Sequence, residues 1–310
     1  MKIKHIALAT SVASTLVAAY LAAGMTALNY AAKRKPPTTS KYNPSNVYPV
    51  SEEDKEWIDN QTFKDVELKT FDDLILRGKY LEAENKTNKI LLAVHGYHAD
   101  NFRDFSYYLR FYHDLGFNIL MPDNRAHGTS DGNYSSFGWY ERLDVLEWIH
   151  ALQAHYEYAP LQIVLHGISM GAATVLMVSG EKLPEDVKCI ISDCSYTTAI
   201  EEFKAVLSKH HLPSFLFVPS ANLVSKRKLG FDFNDASAIR MVAKSTTPTL
   251  FIHGDDDNLV PDNMVYELYN ACSAPKDLLV IKGAKHADSY LKDQALYKET
   301  VVNFFNKYVH

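Results

Sequence analysis

The chain reads as an α/β protein: a mostly parallel, doubly wound sheet with a helical cap insertion and an N-terminal hydrophobic helix. Three observations carry this reading. From Lys89 onward, short apolar runs alternate with helical patterns, the order that builds a parallel sheet covered on both faces. One of those runs, Gln162-Ile163-Val164-Leu165-His166, continues into Gly167-Ile168-Ser169-Met170-Gly171-Ala172-Ala173, a strand that ends in Gly-x-Ser-x-Gly and passes into a small-residue helix. At the other end, Ile6 through Tyr30 contains no Asp, Glu, Lys or Arg.

The elements follow in order. Pro36-Pro37-Thr38-Thr39-Ser40 and Asn43-Pro44-Ser45 read as an extended polar linker. Lys64 to Thr70 and Leu74 to Leu81 are strand-like runs joined by Phe71-Asp72-Asp73 as an antiparallel hairpin. Lys89 to Val94 is a strand, Phe105 to Leu115 a helix, Asn118 to Pro122 the next strand, and Gly138 to His155 a long amphipathic helix. Beyond the run at Gln162, Val187 to Asp193, Pro248 to His253 and Asp277 to Ile281 are further strands, and Leu291 to Tyr308 is a closing helix. The alternation lapses over 195–244, a helix-like apolar span between two core strands. An insertion emerging where functional loops gather reads as a cap over the site. Three units result: an N-terminal signal-anchor or transmembrane segment over 1–32, a linker and extension over 33–62, and a catalytic domain over 63–310.

The uncharged N-terminal stretch is flanked by Lys2 and Lys4 before it and by Lys33-Arg34-Lys35 after it. A helix of that length can cross a hydrocarbon core of roughly 30 Å. It exceeds the apolar core of a secretory signal, so a retained single-pass anchor is expected, with secretion after cleavage near Ala22-Ala23-Gly24, or a helix buried in the protein, as the alternatives. The catalytic domain is expected outside the cell, although the three cations after the segment argue mildly against export. A net charge of -5 offers no broad basic surface, so no nucleic-acid partner is expected. Three cysteines cannot all pair; Cys189 and Cys194 are expected on opposite strand faces, all three as buried thiols. No His-Glu-x-x-His, Walker or Gly-x-Gly-x-x-Gly pattern appears, so no metal or nucleotide cofactor is expected.

A serine hydroxyl is a weak nucleophile at neutral pH and needs a base, which in turn needs an orienting acid. The elbow at Ser169 supplies the nucleophile, and this architecture takes its acid and then its base from later strand ends. After Thr249-Leu250-Phe251-Ile252-His253-Gly254 come Asp255, Asp256 and Asp257; periodicity does not rank the three, and Asp257 is the candidate taken. The base candidate is His286, between the last strand and the closing helix. The backbone N–H groups of Met170 and of Tyr97, in the loop Val94-His95-Gly96-Tyr97-His98, are the candidate oxyanion hole. Tyr97, Tyr196 and Phe215 are the expected substrate contacts. Asp123 and Arg125, in the turn-rich Asp123–Gly132, are expected to tie that loop together, and His166 to be a packed, satisfied histidine.

These motifs together resemble the α/β-hydrolase superfamily. The chain is similar, within it, to bacterial, often membrane-anchored serine hydrolases with a short helical cap, known as esterases or peptidase-like proteins. The resemblance rests on His95-Gly96-Tyr97, Asp123-x-Arg125-x-His127-Gly128-x-Ser130, Gly167-x-Ser169-x-Gly171, His253-Gly254-x-x-Asp257-x-x-Val260-Pro261 and Gly283-x-x-His286. It implies the α/β-hydrolase fold and independently selects Asp257. Ala126 departs from the glycine more frequent there, which bears on turn geometry. The expected activity is hydrolysis of a carboxylester of an apolar acyl or aryl group through an acyl-enzyme. The alternatives are peptidase, acylaminoacyl-peptidase-like or thioesterase activity on the same residues, or a non-catalytic member that binds a lipid or partner protein. A small ester or short peptide is the expected partner, besides the membrane.

Overall fold

A computed structural model describes residues 2–36 and 50–310; most of the expected polar linker, from Pro37 to Ser45, lies outside the described residues. Eight strands form one sheet: β1 (Phe63–Lys69), β2 (Ile75–Leu81), β3 (Lys89–Val94), β4 (Asn118–Pro122), β5 (Gln162–Ile168), β6 (Val187–Asp193), β7 (Thr249–Gly254) and β8 (Lys276–Ile281). Their spatial order is β1-β2-β4-β3-β5-β6-β7-β8. The hairpin β1–β2 is antiparallel and β2 pairs antiparallel with β4; every later pairing is parallel. β4 and β5 are buried along their whole length, which is why they read as unbroken apolar runs rather than alternating ones.

The helices are α1 (Lys2–Ala32), α2 (Glu52–Asp59), α3 (Asn101–Phe105), α4 (Leu109–Asp114), α5 (Glu141–His155), α6 (Met170–Val178), α7 (Ala199–Lys209), α8 (Ser214–Lys228), α9 (Ala238–Val242), α10 (Asn263–Ala271), α11 (Ser289–Lys292) and α12 (Gln294–Tyr308). Phe105, Tyr112, Tyr297 and Phe304 pack α3, α4 and α12 on one sheet face. Val145, Trp148, Ile149 and Val175 pack α5 and α6 on the other. The insertion between β6 and β7 holds α7, α8 and α9, as the lapse in alternation implied.

Local chemistry moved several boundaries. The helix expected over Phe105–Leu115 is two pieces. Asp100 caps α3 early by accepting the Arg103 N–H, and a tight turn in which the Tyr108 N–H donates to the Phe105 carbonyl separates it from α4. α5 starts three residues after Gly138, which is held at φ +93° while Glu141 accepts the N–H groups of Ser136 and Gly138. The closing helix is split at Asp293, whose carboxylate caps α12 through the Leu296 N–H. Cys189 and Cys194 share one apolar cluster instead of lying on opposite faces, because Cys194 stands beyond the end of β6 at φ +52°, where strand alternation no longer holds.

The largest departure concerns the N-terminus. The last two turns of α1 are part of the folded domain: Leu28 and Ala32 are fully buried. Arg34 donates to the carbonyls of Gly128 and Ser130, the Ser135 N–H donates to the Ala32 carbonyl at 2.8 Å, and the Tyr97 hydroxyl donates to that of Ala31. Gly24 lies so close to α8 that a Cβ there would strike the Ser220 carbonyl. Residues 33–36 are thus pinned to the domain and do not act as a free linker. Among the described residues, Ser14–Ala32 is the one helical window long and apolar enough to cross a membrane.

Two buried polar assemblies hold the frame. Arg125 donates to both carboxylate oxygens of Asp144 on α5, at 2.7 and 2.6 Å, and to Asp72 of the β1–β2 turn. It therefore ties the loop outward to the hairpin and α5, while Asp123 supplies the tie within the loop. Asp123 accepts from Thr129 and Asn101. Ala126 sits at φ +62°, the backbone that makes glycine the commoner choice there. Below the sheet's centre, the Tyr112 hydroxyl donates to His166 Nδ1 at 2.9 Å, His166 Nε2–H donates to Tyr297, and Tyr297 donates to Asp193 at 3.0 Å. Each proton has one place in this chain, so His166 is neutral and satisfied, as the sequence suggested. Burial pushes its pKa down to about 3.

That shift has a pH signature. In the unfolded chain His166 takes a proton below about pH 6.5, while the folded chain refuses it, so this contribution to stability is lost as pH falls from 6.5 toward 3. His166→Asn removes the titration along with the hydrogen bonds. The stability gap between wild type and variant is expected to narrow by about 2 kcal/mol between pH 7 and pH 4.5, read from urea midpoints; a constant gap would contradict the assignment.

Candidate active site

The site lies at the carboxyl ends of β5, β7 and β8. β5 runs out at Ile168, and Ser169 turns the chain at φ +55°, ψ -115°, a strained conformation for a residue with a side chain. The flanking glycines are sterically required: a Cβ on Gly171 would strike the Val94 carbonyl, and one on Gly167 would strike the carbonyl of Gly171. The Ser169 N–H is held by the Asp193 carbonyl at 2.8 Å. The serine hydroxyl thereby projects from the turn, with the first turn of α6 directly behind it.

His286 Nε2 stands 2.8 Å from Ser169 Oγ, and His286 Nδ1 stands 2.8 Å from Asp257 Oδ2. The three candidate residues are therefore brought together, 117 and 29 positions apart in the chain. The Asp257 side chain is fully buried. Its second oxygen accepts the N–H groups of Leu259 at 2.8 Å and Val260 at 2.9 Å. Burial alone would raise its pKa, but the bonds from His253 and His286 hold it well below the usual carboxylate range. Asp255, by contrast, accepts the Gly283 N–H, which tethers the β7 loop to the His286 loop.

Sequence reasoning quoted His253 as part of a pattern and missed its role. Its Nε2 lies 3.3 Å from Asp257 Oδ2 and 3.2 Å from the Val260 carbonyl. Both are acceptors, so Nε2 carries a proton, while Nδ1 is buried with no partner among the described residues. Burial works against the charged form of this histidine, but Asp257 holds its pKa above the ordinary value, and it shares the oxygen that holds His286. Asp104 of α3 was missed as well: it accepts the Gly96 N–H at 2.7 Å and fixes the loop that presents Tyr97. Burial pushes its pKa up to about 6 against that bond. His95 braces the same loop, accepting the Asn124 N–H at 2.9 Å. Met170 opens α6, so its N–H belongs to the first turn, which has no intrahelical acceptor.

The expected substrate contacts fare less well. Tyr196 is buried in the cap-side cluster, its hydroxyl donating to the Phe137 carbonyl at 3.0 Å. Phe215, at 81% exposure, lies on the outside of the cap. The Tyr97 ring stacks on His98, with centroids 3.7 Å apart, and its hydroxyl is committed to α1. All three were chosen for being aromatic in the right segments, a property that does not encode direction. The cavity that opens beside His286, about 180 Å³, is instead walled by Tyr107, Tyr108, Ile168 and Leu291, with Arg103, Asp104 and Asp288 at its polar side. From the cap, α7 contributes Glu202, one of whose oxygens is buried without a partner among the described residues. Burial pushes its pKa up to about 7, countered by the positive charge His286 can carry.

A parallel sheet with a strained serine between strand and helix, and histidine and aspartate on later strand ends, defines an α/β-hydrolase of the serine-hydrolase type. Residues 103–310 match the prolyl oligopeptidase family, and the chain belongs to it. It is 30% identical over 232 residues to the uncharacterized protein YqkD of Bacillus subtilis, covering 74% of this chain and 75% of that one. Its fold is similar to that of an esterase from Pyrococcus furiosus (TM-score 0.70, 22% identity, 90% of this chain and 99% of that chain). It is also similar to an acylaminoacyl peptidase from Pyrococcus horikoshii (TM-score 0.63, 15% identity, 84% of this chain and 44% of that chain).

The steric requirement at the elbow is directly testable. Gly171→Ala is expected to cost about 3 kcal/mol or more, the upper range for overpacking, because the obstacle is backbone and cannot turn aside. Retention of the wild-type denaturation midpoint would refute the close approach.

Proposed function

We propose that the chain hydrolyses a carboxylester of a small apolar acyl or aryl group through an acyl-enzyme. Ser169 attacks the carbonyl carbon as His286 Nε2 takes its proton, and Asp257 holds the imidazole and supports the imidazolium that forms. The N–H groups of Tyr97 and Met170 receive the negative charge of the tetrahedral oxygen. His286 then returns the proton to the leaving alkoxide, and a water activated by the same nitrogen releases the acid. The observation that carries this reading is the unbroken hydrogen-bond chain from Ser169 Oγ through His286 to a buried, ionised Asp257. The cavity beside His286 is about 180 Å³, a size that suits a short acyl or aryl group.

A peptidase-like second reading is favoured by the family, by the likeness to an acylaminoacyl peptidase, and by the unpartnered Glu202 carboxyl, a suitable counter-charge for an amine. A fluorophosphonate probe is expected to label Ser169, with Ser169→Ala unlabelled and its kcat lower by about 10⁴-fold or more. Equal labelling of the variant would remove the enzyme reading. Aryl esters are expected to turn over faster than aminoacyl amides of matched acyl size; equal rates would transfer the preference to the peptidase reading.

We further propose that α1 is retained as a single-pass membrane anchor with the catalytic domain outside the cell. Fractionation of the full-length chain is expected to leave it in the membrane pellet at unprocessed mass. Soluble unprocessed protein would contradict the anchor, and soluble shortened protein would favour secretion.

A further inference from the structure

The turn between α7 and α8 is exposed throughout, from Ser208 to Pro213. It presents Lys209-His210-His211 followed by Leu212, Phe215 and Leu216, whose exposures are 45%, 81% and 41%. Three large apolar side chains bared at one tip, next to Lys209, form the pattern of a segment seated in a lipid headgroup layer. The catalytic scheme uses none of them.

Their position relative to α1 identifies what covers them. Gly24 faces Ser220, and further along both helices the Tyr134 hydroxyl joins Asn29 and Lys228. The two helices therefore run parallel, side by side. With the same rise of about 1.5 Å per residue, Phe215, five positions before Ser220, is level with Ala19, five positions before Gly24. Leu28 and Ala32 are buried against the domain and Asn29 is hydrogen-bonded to it, so the membrane boundary lies before Leu28. About twenty residues cross a bilayer core, and that length counted from Ile6 ends at Met25. Phe215 then stands six residues inside the boundary, about 9 Å, within the roughly 5–10 Å depth of interfacial segments. Leu16 and Val17, exposed on α1, lie on the same side of that boundary.

We propose that the α7–α8 tip inserts Leu212, Phe215 and Leu216 into the phospholipid bilayer beside α1, so that the cap rests on the membrane. The proposal rests on the anchor reading given above. Pro219 suits the role: it cannot donate to the Phe215 carbonyl one turn back, while the Ser220 hydroxyl occupies those of Leu216 and Phe217 at 3.0 Å.

The test uses the full chain in phosphatidylcholine–phosphatidylglycerol vesicles containing nitroxide-labelled lipid. The three native cysteines are buried, so single variants Leu16→Cys, Phe215→Cys and Tyr158→Cys can each carry an environment-sensitive fluorophore, with Tyr158 a 76% exposed site beyond the far end of α5. The expected result is quenching of at least about twofold at positions 16 and 215 and none at 158, as interfacial depth requires. Quenching at 16 without quenching at 215 overturns the tip insertion and leaves the anchor standing. No quenching at 16 overturns the anchor and the proposal with it. Equal quenching at all three sites means unspecific adsorption, and also overturns the proposal.

Discussion

The close approach of α6 to the end of β3 is the constraint on which the rest of the site depends. Gly171 touches the Val94 carbonyl and Gly167 touches Gly171, so the helix can begin only where no side chain intervenes. That contact forces Ser169 into a left-handed backbone and sets its hydroxyl between the loops after β3, β7 and β8. Gly96, in the loop after β3, lies against Ser169 in the same arrangement. Later strand ends then need supply only two side chains at fixed height.

The loops around the site are stiffened by side-chain hydrogen bonds, buried at His95 and exposed at Asp255. Asp104 fixes Gly96, His95 fixes Asn124, and Asp255 fixes Gly283. Around Asp257 the donors are more numerous than the base alone requires: two histidines and two backbone N–H groups converge on one carboxylate. The carboxylate is thus immobile before any substrate arrives, a form of preorganisation that makes the imidazole's orientation independent of solvent. His253 is the less visible half of that arrangement.

The sheet was legible because its strands are buried on both faces or bounded by turn residues; β3, β4 and β6 agree with their sequence limits to the residue. Ser169 and His286 were legible because topology restricts where such residues can act, and Asp257 because a family pattern chose among three neighbours. Helix limits were less so, since Asp100, Glu141 and Asp293 choose the starting turn through side-chain bonds that periodicity ignores. Directions of isolated aromatics were not legible at all: Tyr196 and Phe215 occupy the expected segment, yet one faces inward and the other outward. The salt bridge from Arg125 to Asp144 was missed because its partners lie on separate elements.

The hydrogen bond between the Tyr97 hydroxyl and the Ala31 carbonyl makes the N-terminal helix a component of the folded unit rather than an appendage. Trimming a gene at the end of that helix, the customary way to obtain a free domain, would bare the seat of Leu28 and orphan a phenol adjoining the reactive centre. A recombinant version that keeps its native contacts therefore has to begin near Gly24. The border of the folded unit falls inside one continuous helix.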